Sequence, residues 1–195
     1  RGECSSDLGG KEQRQGLESL KNEGCKVVTM EDVKKNKIIG NKNVLITIDD
    51  GHKTVIKAYN EVLKPMNIKP VLAIYPGIVG LSKSFMTWDE INSLVKEGVY
   101  IASHGYNHLK VNEKLYSKDK SAFEDEIIKS KKILEEKTKK KIDTFIYPYG
   151  IRSKITKEYL KKFGYTMAFT INWGTLVVPI EKNSDMFELP RYMFT

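Results

Sequence analysis

The sequence predicts an α/β fold with a parallel sheet. Short apolar runs alternate with amphipathic helical segments along the chain, and few tight-turn signals of hairpins separate them. Several of the runs are continuously apolar and stop at polar residues or glycine, which is typical of strands buried on both faces of a parallel sheet. No internal repeat, linker or domain boundary interrupts the pattern. We therefore expect one domain over residues 12–195, after a flexible Gly- and Ser-rich arm at residues 1–11.

The first part of the chain predicts two helices, a helical turn and two strands. The helix at 12–22 ends at Gly24, and the helix at 54–64 ends before Pro65, which cannot continue it. The run from Asn43 to Gly51 indicates a strand buried on both faces that stops at two carboxylates. A short strand at 27–29 and a helical turn from Met30 lie between these elements.

The rest of the chain continues the alternation. Thr87 is the predicted N-cap of a helix at 88–97 that ends at Gly98. The remaining predicted strands are 70–75, 99–103, 145–147, 167–171 and 189–194, and the remaining helices are 121–139 and 153–163.

Composition excludes several classes of protein. The chain has 195 residues, of which 40% are hydrophobic, so it can bury a sizeable core and is not intrinsically disordered. The longest apolar stretch, residues 71–81, is broken by Pro76 and is shorter than the roughly 18 residues that a membrane span needs. The net charge of +8 comes mostly from lysines spread over helical segments, which favours a solvated surface over nucleic-acid binding. With only Cys4 and Cys25, a disulfide between them and two free thiols both remain open.

Polar residues follow four of the predicted strands. They are Asp49 and Asp50, then His104, then Pro148-Tyr149-Gly150, then Asn172-Trp173. In parallel α/β folds the carboxyl ends of the strands face the functional site, so we expect these residues to meet there.

His104 and His108 are the best candidates for metal ligands. Two histidines four residues apart can turn both imidazoles towards one cation, and Asp50 would complete a His₂Asp set with open positions for water. Asp49 and Asp50 are adjacent on a strand, so their side chains point to opposite sides; one can bind the metal while the other acts as general base. The alternatives are two surface histidines and a carboxylate that caps a strand-to-helix turn.

The same residues resemble the motifs of a known family. Thr47 to Gly51 resembles the first motif of the polysaccharide deacetylases, the NodB-homology domains of the fourth carbohydrate esterase family. His104 to His108 resembles the second motif and Phe145 to Gly150 the third. The resemblance implies a distorted (β/α) barrel with fewer than eight strands, about seven. It also implies metal-dependent hydrolysis of the acetamido groups of N-acetylglucosamine residues in a polysaccharide.

The resemblance also implies roles for individual residues. Asp50, His104 and His108 would bind a divalent metal, usually zinc, and Asp49 would be the base that activates water. The backbone N–H of Tyr149 would help to hold the oxyanion. Tyr147, Pro148 and Trp173 are the candidate substrate-binding residues; Trp173 would line the acetyl pocket, and its alternative is a buried core aromatic.

The chain departs from the family pattern at three points. Ile146 stands where the family has an arginine that pairs with the catalytic aspartate, and Asn172 stands where it has an aspartate. No histidine follows His108, so the usual general acid is absent, which predicts slow turnover. We hypothesise that Arg191 pairs with Asp49 or with the substrate; the alternative is an ordinary strand-end arginine.

Three further features resemble the branch that deacetylates poly-β-1,6-N-acetylglucosamine, a biofilm exopolysaccharide. They are the helix-plus-strand segment before the first motif, the Tyr-Pro-Tyr-Gly third motif at 147–150 and the Leu189-Pro190-Arg191 ending. The leading prediction is a secreted or envelope-attached enzyme that acts on an N-acetylglucosamine polymer, either exopolysaccharide or peptidoglycan. The alternatives are a carbohydrate-binding relative that keeps the metal without turnover, and an amide hydrolase for a small molecule. Residues 76–85 and 109–120 are candidate loops for substrate choice, and the sequence predicts no oligomeric state.

Overall fold

The sheet of the protein is parallel throughout and follows the order of the chain. The computed structural model describes residues 9–183 and 185–193. Five strands form the main sheet in the order β3-β4-β5-β6-β7, and two more, β1 and β2, form a separate parallel pair. The main sheet curls into a half-barrel, which confirms the α/β fold and the distorted barrel. The strands are β1 (Lys26–Val28), β2 (Asn43–Leu45), β3 (Thr47–Ile48), β4 (Val71–Ile74), β5 (Tyr100–Ser103), β6 (Thr144–Ile146) and β7 (Met167–Phe169).

Helices connect the strands, and except for α2 (Met30–Lys34), whose Met30 and Val33 pack against the inner face, they cover the outside of the sheet. They are α1 (Gly9–Asn22), α2 (Met30–Lys34), α3 (Thr54–Ala58), α4 (Trp88–Lys96), α5 (Glu113–Lys118), α6 (Lys120–Glu124), α7 (Ser130–Thr138) and α8 (Lys154–Lys162). π-Helical turns at Tyr59–Leu63 and Asp125–Lys129 continue α3 and join α6 to α7. Thr87 caps α4 as predicted, in a reciprocal capping box with Glu90. None of the helices in the described part of the chain has the length and apolar character that crossing a bilayer requires.

Two segments that the sequence analysis predicted to be irregular contain helix in the structure. Helix α1 begins at Gly9, so it includes three residues that the sequence analysis assigned to the arm. The remainder of the predicted arm, with Cys4, lies outside the described residues. The predicted loop at 109–120 contains α5, a short helix that begins after the N-cap Asn112.

The predicted strand at 43–51 is two strands in two sheets. β2 pairs with β1, whereas β3 pairs with β4, and the chain changes partners at Ile46. β3 is also the edge strand of the main sheet, and the residues of β2 and β3 are only partly buried. The prediction that this run is buried on both faces was therefore wrong.

The predicted strand at 189–194 is not a regular strand in the described part of the chain. Leu189 forms an isolated parallel bridge with Phe169 of β7. Pro190 has no N–H with which to continue a ladder, so the pairing stops there. The segment nevertheless runs along β7, where the Arg191 N–H donates to the carbonyl of Asn172 over 3.0 Å.

The core lies on both faces of the main sheet. In β4, Leu72 and Ile74 pack into one cluster with the covering helices, whereas Val71 and Ala73 pack into a second cluster inside the half-barrel. Because Ile74 pairs with Ser103 of β5, the residues that follow these strands meet at one edge of the sheet. That edge carries the polar residues singled out in the sequence.

Candidate metal centre and active site

Three side chains converge at the carboxyl ends of β3 and β5. Oδ1 of Asp50 lies 3.5 Å from Nε2 of His104 and 3.4 Å from Nε2 of His108. The two Nε2 atoms are 3.1 Å apart, and the three candidate ligand atoms all lie within 4.8 Å of one another. The structure thus brings together the three residues that the sequence predicted as metal ligands.

The chemistry of this donor set fits a divalent cation. Oδ1 of Asp50 is buried but has no hydrogen-bond partner among the described residues, although a buried carboxylate oxygen normally has one. Nδ1 of His104 donates to the carbonyl of Ile146 over 2.7 Å, which leaves Nε2 unprotonated and facing the other two ligands. Imidazole nitrogens with one carboxylate are typical ligands of zinc and of other divalent metals.

The electrostatics of the site favour the deprotonated form of these ligands. Burial, and then the neighbouring His104, lower the pKa of His108 and so favour a neutral imidazole. The neighbouring imidazole of His104 is the main cause that lowers the pKa of the Asp50 carboxyl, and burial opposes this effect. These shifts favour the protonation states of Asp50 and His108 that metal binding requires.

Backbone strain aims two of the ligands. Asp50 has φ of 73° and His108 has φ of 60°, in the left-handed region that residues other than glycine rarely adopt. Gly51 and Gly105, which follow Asp50 and His104, also have positive φ. Strained residues of this kind occur where the surrounding structure holds them for function.

A buried glutamate holds the loop that carries the two histidines. Glu126, which has no exposed surface, accepts the backbone N–H groups of Tyr106, Asn107 and Leu109 at 2.7 to 3.1 Å. Burial raises the pKa of its carboxyl, and these three hydrogen bonds oppose that effect. We name this unit, residues 104–109 with Glu126, the histidine cradle.

Gly105 fits the cradle because it has no side chain. A Cβ at this position would overlap the Oε2 atom of Glu126, and φ is 81°. Ser130, one turn after Glu126, donates its hydroxyl to the carbonyl of Gly105 over 2.6 Å. Both histidine ligands are therefore positioned by one helical face, whose residues lie 17 to 25 positions further along the chain than the loop groups they bond.

Asp49 is held by an arginine from the other end of the chain. Nη1 and Nη2 of Arg191 lie 2.7 Å from Oδ1 and Oδ2 of Asp49, a bidentate pair. The arginine, only 8% exposed, also donates from Nε to the carbonyl of Thr170 and from Nη1 to the hydroxyl of Thr47. Oδ2 of Asp49 lies 4.0 Å from Nε2 of His104. This carboxylate therefore borders the metal site but is not one of the three candidate ligands.

Comparison with known proteins identifies the family. A sequence profile described as "Polysaccharide deacetylase" matches residues 36–168, which include Asp49, Asp50 and both histidines. The chain belongs to the polysaccharide deacetylase family. Arg191 lies outside the residues matched to this family.

Individual relatives agree with the family assignment. The "Putative polysaccharide deacetylase YxkH" of Bacillus subtilis is 27% identical over 150 residues, which are 77% of this chain and 50% of that protein. This chain thus spans half the length of the curated relative. IcaB from Ammonifex degensii is 26% identical with a TM-score of 0.76, over 95% of this chain and 83% of that one. The Streptococcus pyogenes deacetylase PplD shares the fold, with a TM-score of 0.77 at 20% identity over 92% and 78%.

Two of the predicted substrate-binding residues lie in the core. Tyr147 has no exposed surface, and its hydroxyl donates to the carbonyl of Phe187 over 3.0 Å. Pro148 is buried and lies close to Gly105 of the histidine cradle. The structure assigns both side chains to packing rather than to contact with a polymer.

Tyr149 and Trp173 are exposed. Tyr149 has φ of 58° and its ring centroid lies 4.6 Å from that of His108, which places this residue beside the metal ligands. Trp173 is 81% exposed and touches the ring of Tyr192, with centroids 5.7 Å apart. The alternative of a buried core tryptophan was therefore wrong, and Trp173 does not lie inside an enclosed pocket.

The sequence analysis missed Glu126 and Tyr75. The ring centroid of Tyr75 lies 5.3 Å from that of His108, and this residue directly follows β4, so the strand-end argument that selected His104 also applies to it. Glu126 stands among Phe123, Ile127 and Ser130 at the spacing of one buried helix face. A charged residue on an otherwise buried helix face is the sequence signal that could have identified Glu126. His52, in contrast, bonds Thr54 in the loop after β3 and is not one of the three converging ligands.

Proposed function

We propose that this protein is a metal-dependent N-deacetylase that removes acetyl groups from N-acetylglucosamine residues of a cell-wall or extracellular polysaccharide. The observation that carries the proposal is the placement of Asp49 next to the Asp50, His104 and His108 set. A ligand set with a further, separately held carboxylate is the arrangement that metal-assisted hydrolysis needs. Membership of the family supports the same reaction.

In this proposal Asp50, His104 and His108 hold the metal, with zinc as the first candidate. The metal would polarise the acetamido carbonyl and lower the pKa of water. The hydrogen bond from His104 to Ile146 fixes the imidazole in the orientation and tautomer that binding requires. Ile146, which stands where the family has an arginine, thus orients the ligand His104 through its backbone carbonyl.

Asp49 is the general base. It takes a proton from the water that attacks the acetamido carbon, and the backbone N–H of Tyr149 donates to the oxygen that becomes negative. Arg191 holds both Asp49 oxygens, so the carboxylate meets the water in one orientation. Arg191 therefore supplies, from another part of the chain, the partner that Ile146 does not.

The leaving amine needs a proton to depart. No histidine follows His108 in the sequence, and Asp49, protonated in the first step, is the group placed to return it. One residue then serves as base and acid in succession, and turnover is slow. A pH–rate profile with a second limb from another group that titrates near neutrality would contradict this assignment.

The test is acetate release from defined oligomers. The zinc-loaded protein is incubated with N-acetylglucosamine oligomers of β-1,4 and of β-1,6 linkage, and the loss of acetyl groups is followed by mass. Asp49→Asn keeps the ligands but not the base, so we expect acetate release to fall by at least about a hundredfold with metal content unchanged. The preferred linkage decides between peptidoglycan and the exopolysaccharide.

Ile146 and the absence of a histidine after His108 favour a second candidate, a carbohydrate-binding relative that keeps the metal. No acetate from either linkage, with one equivalent of metal bound, would establish that reading instead. In both cases the proposed place of action is outside the cell membrane or in the envelope, where such polymers occur.

A further inference from the structure

A groove with lysines along one side opens onto the metal centre. Its volume is about 420 Å³, and His108 and Tyr149 form its inner end. Lys110, Lys114 and Lys118 line the rest of its length. We name it the lysine groove. A polymer with one residue at the metal centre has room to extend into it.

The charge of the lysine groove is of one sign. No carboxylate lines it, and none of the three lysines forms an ion pair with a carboxylate in the described residues. The Nζ atom of Lys110 lies 5.3 Å from the centroid of the Tyr149 ring, so this cation stands beside the candidate oxyanion residue. The three positive charges therefore face whatever enters the groove.

Several lysines elsewhere on the helices have carboxylate partners. Lys35, Lys129 and Lys131 each pair with a carboxylate four residues away on the same helix. On α5, in contrast, Lys114 and Lys118 stand four residues apart and present like charges to each other. Such a pair disfavours a short helix unless an anion lies between or beside the two charges.

We propose that the lysine groove binds an anionic group, a carboxylate or a phosphate, on the sugar next to the one that loses its acetyl group. The substrate is then an acidic polysaccharide rather than a neutral N-acetylglucosamine polymer. This inference rests on the proposed deacetylase function and specifies its substrate class. It gives the predicted substrate loop, residues 109–120, a physical means of selection.

The same charges act against the product. Removal of the acetyl group leaves an amine that carries a positive charge when protonated, and three lysines repel it. A sugar already deacetylated is therefore disfavoured in the lysine groove, whereas an acidic sugar is favoured. The affinity of the lysine groove for a sugar therefore depends on the sign of the charge that the sugar carries.

The test compares three trisaccharides of equal length. One is neutral N-acetylglucosamine trimer, the second carries a phosphate on one sugar, and the third carries a lactyl ether carboxylate on one sugar. Affinity is measured by calorimetry on the metal-loaded Asp49→Asn variant, and kcat/KM for acetate release is measured on the wild type. We expect at least one acidic trisaccharide to bind about tenfold more tightly than the neutral one at low salt. This difference should shrink at about 0.5 M salt, where screening is much stronger than at physiological ionic strength.

The variant Lys114→Gln/Lys118→Gln tests the groove itself. We expect it to lose the preference for acidic trisaccharides, and because the preference is a ratio measured on one protein, a general loss of affinity cancels. Lys96→Gln/Lys132→Gln removes two exposed positive charges outside the groove and is the matched control, which keeps the preference. If the double variant does not fold, the salt dependence of the wild-type preference still decides.

Each outcome has a defined meaning. Preference for the phosphate or for the carboxylate supports the proposal and names the anion. Equal affinity for all three trisaccharides, or a preference that survives the double substitution, overturns it. Equal acetate release from neutral and acidic trisaccharides would leave the deacetylase function standing without the acidic substrate. An acidic preference in binding without any acetate release would leave the groove standing without the enzyme.

Discussion

The two sides of the metal centre are built in different ways. On the histidine side, both ligands lie four residues apart, and Glu126 and Ser130 hold their loop from a helical face without exposed surface. On the aspartate side, Asp49 and Asp50 follow an edge strand, and Arg191 reaches Asp49 from 142 residues away, in a segment without regular structure. We infer that the positions of the two histidine ligands depend on a local, buried unit, whereas the orientation of the base depends on a distant segment. The two functions are then separable by substitution.

The largest effect is expected from Glu126→Ala. It leaves three partly buried backbone N–H groups of the histidine cradle without their acceptor, and we expect a loss of about 2–4 kcal/mol in the free energy of unfolding. Metal affinity falls by about 10- to 100-fold because the positions of His104 and His108 are no longer fixed. Denaturant unfolding and competition with a chelator measure the two quantities.

Glu126→Gln is the matched control for this substitution. It keeps the size of the side chain and one acceptor oxygen, so both losses are smaller than in Glu126→Ala. If Glu126→Ala bound metal as tightly as the wild type, the histidine cradle would have no part in positioning the ligands.

Arg191→Ala acts on the other side. Asp49 loses both hydrogen bonds that orient it, and we expect kcat to fall by about a hundredfold, the cost of a misplaced catalytic group. Metal stoichiometry and affinity stay at the wild-type level, because none of the three ligands contacts Arg191 in the described hydrogen bonds. Arg191→Lys keeps the charge without the bidentate geometry and restores only part of the activity. Loss of metal in Arg191→Ala would show that the two sides are not separable.

Acid is expected to loosen the aspartate side through Glu188. Arg152, and then Lys157, lower the pKa of this carboxyl to about 2 from its usual 4.5, so its contribution to stability is complete above pH 4.5 and is lost as the pH falls towards about 2. Glu188 precedes the Leu189 bridge to β7, so amide hydrogen exchange of Leu189 and Arg191 should become less protected over this range. Glu188→Gln should remove this dependence on pH; protection that still fell as steeply in the variant would assign the loosening to another group.

The smallest effect is expected from Trp173→Ala. The exposed ring, next to Tyr192, offers an apolar face to a sugar beside the aspartate side. Its loss should raise KM for the oligomers by about three- to tenfold, with a smaller change in kcat. Ile39→Ala, a substitution of another strongly exposed apolar residue, serves as control. An unchanged KM would exclude Trp173 from substrate binding.

The success of the sequence-based predictions also differs between the histidine side and the aspartate side. The two histidines came from local spacing and from the rule that strand ends meet, and the structure brings them together with Asp50. The split at Ile46 was not predictable, because a continuous apolar run does not show where a strand changes partners. The pairing of Arg191 was hypothesised from the absence of an arginine at 146, yet the regular strand expected around it was wrong because Pro190 interrupts the ladder.

The sequence also did not predict which polar residues near the site are buried. Tyr147 was predicted to bind substrate, but the direction in which a side chain leaves the end of a strand depends on the packing around it, and here it enters the core. Glu126 was missed because charged residues on a lysine-rich helix are ordinarily solvated, and only the three-dimensional position of the histidine cradle shows its partners.

The overlap between a Cβ at position 105 and the carboxylate of Glu126 has a consequence for how such a chain changes over generations. Losing Glu126 would remove this overlap, but a side chain at position 105 would still be strained at φ of 81°. The three N–H groups that Glu126 accepts would also still lack their acceptor. The two losses therefore do not cancel, and a library that randomises both positions at once should return Gly105 together with Glu126.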